Sequence, residues 1–400
     1  MARKGVLFVR NLLILADLTS PLMLPRITML KELPYKKYIL HNANNIPLSE
    51  EILKQYEGFE ILVHKEITSL RLRYLYSFFY TLYLLITLNP KLIVVHWASR
   101  LYQNILLALW GRRVIVHTMG GEINAQEDCY GKKKFFTGLL FRTARIVTGK
   151  TEVMQEILLK NFPFVCPSKV KIISWGVEER FFDGLAEEKK TQLQLQFLHQ
   201  DFDYLFFSVR TFKRVHFHKE ILREFISSYR ENPRVGLLVS TLGVEKPYFK
   251  ECQEELNFKQ YPNIILFDVP HKEMHNVLKM SDCVVSYKLC DGISQSLMEA
   301  VATKCWVISK RLKNHSMLLC HKKNAYLIDN VEELQEAFDY VMRNDLCYLK
   351  SDLLAYSSQK EVYLHILSQY YGVQVMTFKT SAGGGGNFDI SRFNKPFNVT

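Results

Sequence analysis

Asp291 and Glu299, two carboxylates eight residues apart, are the side chains of this sequence best placed to do chemistry. The apolar run CVVSY before them predicts a short buried strand over 283–287, and the turn that follows contains Gly292. Ser294 is an N-cap candidate for the helix that carries Glu299. A strand, a tight loop and a helix N-terminus together aim backbone N–H groups and the positive end of a helix dipole at an anion.

This strand–turn–helix unit suits a nucleotide diphosphate. The backbone amides of Gly292, Ile293 and Ser294 are positioned to hold a diphosphate. Glu299, further along the helix, would then accept hydrogen bonds from ribose hydroxyls, and Asp291 would face the ligand from the loop. Taken alone, the same letters also fit an ordinary turn at Asp291 and a solvated helix face at Glu299.

Apolar strand candidates alternate with helix-length segments in both halves of the chain, which predicts two parallel α/β domains. The predicted strands are 6–9, 38–40, 60–63, 92–96, 114–117, 145–148 and 170–174, then 204–209, 236–240, 263–267, 283–287, 306–309 and 325–328. We predict an N-terminal domain over 1–180, a hinge over 181–203, a C-terminal domain over 204–350, a helix crossing back over 351–372 and a tail over 373–400. In such domains ligands bind outside the carboxyl ends of the strands.

Composition describes a globular protein, because 48% of the 400 residues are hydrophobic and 23% are charged. The longest nearly apolar run, Tyr74 to Leu88, is shorter than the roughly 20 residues that a membrane span needs, so it predicts a helix that does not cross. The first residues lack a signal-peptide cleavage site. The eight cysteines form no C-x-x-C pair, which favours a reduced, cytosolic chain without structural zinc or another bound metal.

Positive charge is concentrated in residues 65–150, where thirteen Lys or Arg and four acids give a net charge of +9. Aromatic and aliphatic residues interleave with these cations, and Lys132, Lys133 and Lys134 precede two phenylalanines. This mixture suits an anionic membrane surface. It also fits core-facing aromatics beside a solvated basic face. Nucleic acid is not expected as a partner, since no recognised binding motif accompanies the charge.

Four further segments stand in an order that resembles the retaining, family-4 type glycosyltransferases of the GT-B fold. The resemblance spans roughly Leu92 to Tyr371, and Asp291 stands where the acid-x7-acid motif of the family more often has Glu. The segments are GRRVIVHTMGGE (111–122), KIISWGVEERFF (171–182), FFSVRTFKRVHFHKEIL (206–222) and the run from ILFDVP to VVSY before the acidic motif. The resemblance implies two Rossmann-like domains facing each other across a cleft.

The resemblance also implies roles for the donor site. Arg210 matches the arginine that clamps the donor diphosphate, Asp291 matches the acid on the donor-sugar hydroxyls, and Glu299 matches the acid on the ribose. The base ring would lie against the backbone near Val269 and His271.

The second cation of the family's donor site departs from the pattern. Its lysine position falls at His216, with Lys213 and Lys219 nearby, and Lys213 is the first choice for the second phosphate contact.

On the acceptor side, the resemblance makes His117 the residue that projects toward the sugar. Without it, His117 and the similar His96 would both read as satisfied strand-end histidines. Gly120 and Gly121 either give the acceptor close access to the backbone or form a plain turn. The segment VRNLLILADLTSP, taken as the first βα loop, lacks the glycine-rich turn of many relatives.

The resulting prediction is a retaining, metal-independent glycosyltransferase that needs no cofactor beyond a nucleotide-diphosphate sugar as donor. Its acceptor would be a glycan or lipid-linked hydroxyl at the cytoplasmic face of a membrane, in the biosynthesis of surface polysaccharide or lipopolysaccharide. The alternative is a non-catalytic GT-B protein that binds a nucleotide sugar or serves as a membrane adaptor.

Overall fold

The computed structural model describes residues 10–41, 48–64, 67, 69–98, 101–123, 131–182, 185–268, 271–289, 291–348 and 354–373. The chain divides into two compact units. The first takes the chain up to Trp175 and resumes at Ser357, and the second is Gly176–Tyr356. The chain therefore crosses between the units twice.

Unit 1 contains a sheet of seven parallel strands in the order β3-β2-β1-β4-β5-β6-β7. The strands are β1 (Arg10–Ala16), β2 (Tyr35–His41), β3 (Glu60–Val63), β4 (Leu92–His96), β5 (Val114–His117), β6 (Ile146–Gly149) and β7 (Val170–Ile172). The central strands β4 and β5 are apolar up to a terminal histidine and buried on both faces, as expected of a parallel sheet covered by helices.

The helices of unit 1 connect these strands, with one contribution from much later in the chain. They are α1 (Met23–Thr28), α2 (Glu50–Gln55), α3 (Leu70–Leu88), α4 (Leu101–Leu109), α5 (Gly131–Thr143), α6 (Glu152–Asn161) and α13 (Tyr356–Tyr371). α13 is fixed to unit 1 by hydrogen bonds. The Tyr371 hydroxyl donates to the carbonyl of Val114 at 2.7 Å, and the amide of Ser174 donates to Gln359 Oε1 at 3.0 Å.

Unit 2 contains a six-stranded parallel sheet in the order β10-β9-β8-β11-β12-β13. Its strands are β8 (Tyr204–Ser208), β9 (Val235–Ser240), β10 (Ile264–Phe267), β11 (Cys283–Ser286), β12 (Trp306–Lys310) and β13 (Ala325–Ile328). Its helices are α7 (Glu187–Leu198), α8 (His218–Tyr229), α9 (Lys246–Leu256), α10 (Met274–Met280), α11 (Gln295–Ala302) and α12 (Leu334–Arg343).

Two hydrophobic clusters cover the two faces of this second sheet. Leu205 and Phe207 of β8 enter one cluster, and Phe206 enters the other. Because successive strand residues point to opposite faces, β8 is buried on both sides. Such a strand holds the residues that follow it in a fixed position at the edge of the sheet.

Two predictions about organisation differ from the structure. The first strand was predicted over 6–9, which lies outside the described residues, whereas β1 occupies Arg10–Ala16, a segment that had been taken as a loop. The predicted hinge over 181–203 contains α7, which Gln194 fixes to unit 2 by donating to the carbonyl of Met280 at 2.9 Å. The crossing lies earlier, between Trp175 and Gly176.

The prediction that the apolar run from Tyr74 forms a helix is confirmed by α3. Among the helices in the described part of the chain, none is long and apolar enough to cross a bilayer.

Candidate functional site

The centre of the candidate site lies where β8 and β11 end side by side. These two strands are hydrogen-bonded neighbours, and the order of the sheet reverses between them, since β9 and β10 continue on one side and β12 and β13 on the other. In open parallel sheets this reversal opens a crevice at the carboxyl ends of the strands, where ligands bind. Arg210 follows β8, and Asp291 follows β11.

Arg210 is held by two side chains of the acidic segment. Its Nη2 lies 3.1 Å from Asp291 Oδ2, and its Nη1 donates to Ser294 Oγ at 2.6 Å. Asp291 is fixed in turn by Asn314, whose Nδ2 donates to the Asp291 carbonyl at 2.7 Å. Arg210 and Asp291 each retain about a fifth of their side-chain exposure, 18% and 20%, so the pair is reachable from solvent. The structure thus brings together three residues that the sequence predicted for the donor site.

A second cation at this centre is Lys288, which the sequence reasoning missed. Its Nζ lies 3.9 Å from Asp291 Oδ1. Lys288 comes two residues after β11, on the same loop as Asp291. Its position on that loop was the one sign in the sequence that it could reach the site. Two cations and one carboxylate leave a net positive charge, which suits a diphosphate.

His216, which stands at the lysine position of the family, does not supply that second charge. Its Nδ1 is 2.8 Å from the carbonyl of Thr211, and burial lowers the pKa of its ring to about 4. His216 is therefore neutral near pH 7. Lys213 is exposed, and among the described residues no ion pair holds it, so its role as the second phosphate contact stays a prediction.

Lys219 and His218 serve the packing of α8 and α9 instead. Lys219 pairs with Glu251 at 3.2 Å and also with Glu255. His218 stacks on Phe212 with ring centroids 4.5 Å apart.

The N-terminus of α11 has the composition expected of an anion cradle. Ser294 is its N-cap, but Ser294 makes no side-chain cap bond, because its Oγ is engaged with Arg210 and, at 2.7 Å, with Ser296 Oγ. Gly292 and Ile293 are buried in the preceding loop. The side chain of Ser294 thus leaves the first-turn N–H groups of α11 to other acceptors.

Glu299 is buried on α11, with 5% of its surface exposed, so the alternative of a solvated helix face is wrong. Val269 and the side chain of His271 lie outside the described residues, and the contact predicted there with a base ring stays a prediction.

His117 occupies a different environment from the one predicted for it. It ends β5 and is fully buried, with Nδ1 2.8 Å from Thr148 Oγ1 and Nε2 2.9 Å from the Tyr363 hydroxyl of α13. The Trp175 ring lies against it, at 4.7 Å between centroids. Both ring nitrogens are thus committed to the protein in this structure, and the predicted contact with a donor sugar would require them to exchange partners.

Of the two histidines, His96 is the better placed to contact a ligand. It ends β4 beside His117, and both of its ring nitrogens are buried without a hydrogen-bond partner in the described part of the chain. Burial lowers the pKa of His96 to about 3, helped by the charge of Arg26. A neutral imidazole has one N–H donor and one acceptor nitrogen, so it can donate to an anion and accept from a hydroxyl.

Arg26 and Glu122 complete a polar cluster with His96 in unit 1. Arg26 is 1% exposed, stacks over Trp175 at 4.9 Å and donates through Nη1 to the sulfur of Met119 at 2.8 Å. Its Nη2 has no partner among the described residues. Glu122 accepts from the amide of Met119 at 2.8 Å, while its Oε2 is unpartnered in the same described set.

Burial raises the pKa of Glu122 to about 7. The sequence reasoning missed both Arg26 and Glu122, although Glu122 directly follows the Gly120-Gly121 pair predicted to approach the acceptor. Gly120 has a φ of 113°, and a Cβ on Gly121 would meet nothing within 4 Å, so this turn is open on that side.

The predicted membrane cluster falls partly outside the described side chains. Lys132 and Lys133 lie in the first turn of α5, where only the backbone is described, and Lys134 is exposed with its Nζ 5.9 Å from the centroid of the Phe162 ring. In the described residues, no three His, Cys, Asp or Glu side chains gather as they would around a metal ion.

Comparison with known proteins finds a family model that matches part of the chain. Residues 189–360 match the family model described as Glycosyl transferases group 1. The Glycosyltransferase 1 domain-containing protein 1 of Xenopus tropicalis is 21% identical over 230 residues, which is 56% of this chain. The chain spans 65% of that relative's length, a little less than two thirds.

Solved structures match nearly the whole chain. A glycosyltransferase from Rickettsia africae superposes with a TM-score of 0.68 at 14% identity, covering 90% of this chain and 98% of the other. HepE from Anabaena, solved with UDP and glucose, gives 0.66 at 13% identity, covering 96% and 97%. The predicted α/β fold class, GT-B, is confirmed by these matches.

Proposed function

We propose, from the premise that residues 189–360 form a glycosyl transferases group 1 domain, that this protein moves a sugar from a nucleotide-diphosphate sugar to a hydroxyl of an acceptor. The observation that carries the proposal is the Arg210–Asp291 pair on Ser294 and the N-terminus of α11, with Lys288 beside it. UDP and UDP-glucose bound to the structurally similar HepE support a donor of this class.

The proposed donor pose follows from charge. The diphosphate would lie against Arg210, Lys288 and the amides of the 292–294 loop, the sugar would face Asp291, and the ribose would face Glu299. Binding must loosen the Arg210–Asp291 pair, because the incoming phosphate is itself an anion that the guanidinium prefers to bind bidentately. Asp291 then becomes available to accept hydrogen bonds from sugar hydroxyls.

The proposed chemistry retains the configuration of the sugar without a covalent intermediate on the protein. The glycosidic C–O bond to the diphosphate breaks, and the electron pair leaves on the phosphate oxygen, where Arg210 and Lys288 stabilise the growing charge. The departing phosphate takes the proton of the acceptor hydroxyl, which forms the new C–O bond on the same face. The two side-chain cations would perform the role that a metal ion has in other transferases, and activity is expected to persist in EDTA.

For the acceptor we propose unit 1, at the cluster of Arg26, His96 and Glu122. Its open polar atoms (Arg26 Nη2, both ring nitrogens of His96 and Glu122 Oε2) are all buried, and a buried polar atom without a partner is costly. An acceptor with hydroxyl groups and an anionic group would satisfy them together. Membrane-held glycan precursors, such as lipid-linked saccharides or lipopolysaccharide precursors, have both kinds of group, and we place the reaction at the cytoplasmic face of a membrane.

The experiment that tests the function is nucleotide release from a panel of UDP-, GDP-, ADP-, CMP- and dTDP-sugars, with membrane lipid extract as acceptor source. Release that depends on the extract, and that Arg210→Ala abolishes, supports transfer. Tight binding of a nucleotide sugar without release in any combination would favour the alternative, a non-catalytic binding or adaptor protein.

A further inference from the structure

α3 of unit 1 presents an apolar surface to solvent along its whole length. Five large hydrophobic residues lie on one side of the helix, at spacings of three and four residues, and each is 54% to 63% exposed. They are Leu72, Leu75, Phe79, Tyr83 and Ile86, and we name them the α3 ridge. Residues at these spacings share one face of a helix, so the ridge is continuous over about four turns.

At the middle of α3, the face opposite the ridge carries polar side chains. Ser77 and Thr81 are buried there, and the side-chain amide of Gln103 on α4 donates to both, at 3.2 Å and 3.0 Å. Leu84 and Leu85 also bury apolar side chains in the core of unit 1, so the outward apolar residues are not needed to cover that core. The outward apolar face of α3 is therefore an exposed apolar patch of the kind that marks an interaction surface.

The sequence segment that contains the ridge carries charge of a single sign. Between Glu66 and Glu122 the sequence contains six Lys or Arg and no acid. Arg71 is exposed beside the N-terminal end of the ridge. At the other end Arg113 donates to Asn89 Oδ1, the C-cap residue of α3, at 2.6 Å.

The next helix, α4, also exposes apolar side chains, and a basic hollow follows it. Tyr102 and Leu109 of α4 are exposed, and the Tyr102 ring lies 5.5 Å from that of Tyr74 on α3. Beyond Leu109 a hollow of about 640 Å³ is lined by Arg112 and Arg113, with no acid among its lining residues. Two arginines beside an apolar surface fit phosphate headgroups above acyl chains.

We propose that the α3 ridge is a membrane-docking surface that lies in the headgroup–acyl boundary of an anionic bilayer. The ridge would insert its leucines and aromatic rings, while the arginines at its two ends remain with the lipid phosphates. A second copy of this chain fits less well, because a two-fold interface through the ridge would bring one acid-free, basic surface against another. Aromatic side chains with an arginine at each end are typical of helices at the bilayer interface.

The inference rests on the proposed function only in the choice of a membrane that holds the acceptor, and the test uses neither donor nor acceptor. The full chain is floated with neutral phosphatidylcholine vesicles and with vesicles that also contain phosphatidylglycerol. We expect binding mainly to the anionic vesicles, weakening with salt. The double variant Leu75→Glu/Phe79→Glu is expected to reduce binding about tenfold or more, because it places two carboxylates in the inserted face.

Leu195→Glu is the matched control, since Leu195 is an exposed leucine on α7 of the second unit, 48% exposed. It should bind vesicles like the unaltered chain. Equal loss in the control, unchanged binding in the double variant, or equal binding to neutral vesicles would overturn the proposal. A dimer that the double variant converts to a monomer, without vesicle binding by either protein, would overturn it in favour of a second copy.

A depth measurement covers the case in which the double variant fails to fold. Beyond the quenching of the four native tryptophans measured in the unaltered chain, Phe79→Trp should add quenching by brominated acyl chains, whereas Leu195→Trp should add none. Equal added quenching in the two variants, or none in either, contradicts insertion of the ridge.

Discussion

Arg210 and Asp291 form an ion pair that a donor must rearrange, so the two residues are expected to respond differently to substitution. Arg210→Ala removes the guanidinium that stabilises the leaving diphosphate, and we expect turnover to fall by about two orders of magnitude or more, with weaker nucleotide binding. Arg214→Ala is the control, because Arg214 is exposed and pairs with Glu251. Release assays measure the turnover, and calorimetry measures the nucleotide affinity. Near-normal turnover in folded Arg210→Ala protein would remove it from the site.

Asp291→Asn tests the opposite member of the pair. The amide no longer competes for Arg210, so affinity for free nucleotide diphosphate should be kept or increased, while kcat falls about tenfold or more because the sugar loses an acceptor in the transition state. Glu299→Gln should show the reverse split, with nucleotide affinity lowered about tenfold and kcat less affected. Calorimetry and kcat at saturating donor separate the two. Wild-type behaviour in both variants would make the strand–turn–helix a scaffold only.

Glu122 makes the stability of the protein depend on pH. Burial raises its pKa from 4.5 to about 7, so the folded state binds a proton that the unfolded state has lost between these values. Its stabilising effect is complete below about pH 4.5 and is lost as pH rises toward 7, on the order of 3 kcal/mol in total. Glu122→Gln should therefore gain melting temperature relative to wild type from pH 5 to pH 8. Glu57→Gln, at an exposed glutamate, should not. A difference that shrinks with rising pH would contradict this.

At the scale of elements, Gly176 fixes how unit 2 begins. It has a φ of +65°, and a Cβ there would lie 2.6 Å from the Cα of Tyr356. Gly176→Ala should cost about 2 kcal/mol or more of unfolding free energy, because neither the backbone conformation nor the neighbouring backbone accommodates it. Gly121→Ala, whose Cβ meets nothing within 4 Å, should cost less than about 0.5 kcal/mol. Urea unfolding of both variants checks the difference, and equal costs would contradict it.

The elements themselves were largely predictable. Strand β4 was predicted residue for residue from LIVVH, and β13 from AYLI, because short apolar runs between polar segments are typical of buried parallel strands. The segment of β1 was taken as a loop because the polar pair Arg10-Asn11 interrupts the apolar run, whereas both residues pair with β2 in the structure. α7 was taken as a hinge because its sequence is polar, whereas a helix needs only one apolar side.

The meeting of Arg210 and Asp291 could be predicted because both residues follow strands that are themselves predictable. The burial of His117 could not, since one of its partners is Tyr363, 246 residues further along the chain. Lys288 was missed for the opposite reason, because a lone lysine on a loop resembles any other surface cation until its distance to Asp291 is known.

At the scale of the whole molecule, thermal stabilisation by free nucleotides can identify the base of the donor. A nucleotide that binds only the folded protein stabilises it by about 2.7 kcal/mol at 100 times its Kd. We expect one of UDP, GDP, ADP, CMP or dTDP to raise the melting temperature clearly above the others, and hydrogen exchange to slow at 208–217 and 286–299. Arg210→Ala should lose both effects. Protection confined to unit 1 would place the donor elsewhere.

Because α13 belongs to unit 1, the order in which the protein is made matters for how it folds. Unit 2 is a continuous segment, complete once Tyr356 has been made, whereas unit 1 still lacks the helix that contacts His117. The 246 residues between His117 and Tyr363 take about 12 to 49 s to synthesise at roughly 5–20 residues per second. During that interval the first unit has a gap over β5, and unit 2 itself is complete only seven residues before Tyr363 is made. The first unit thus lacks its last helix throughout the synthesis of the second, and this ribosome-bound intermediate is where a chaperone would be needed.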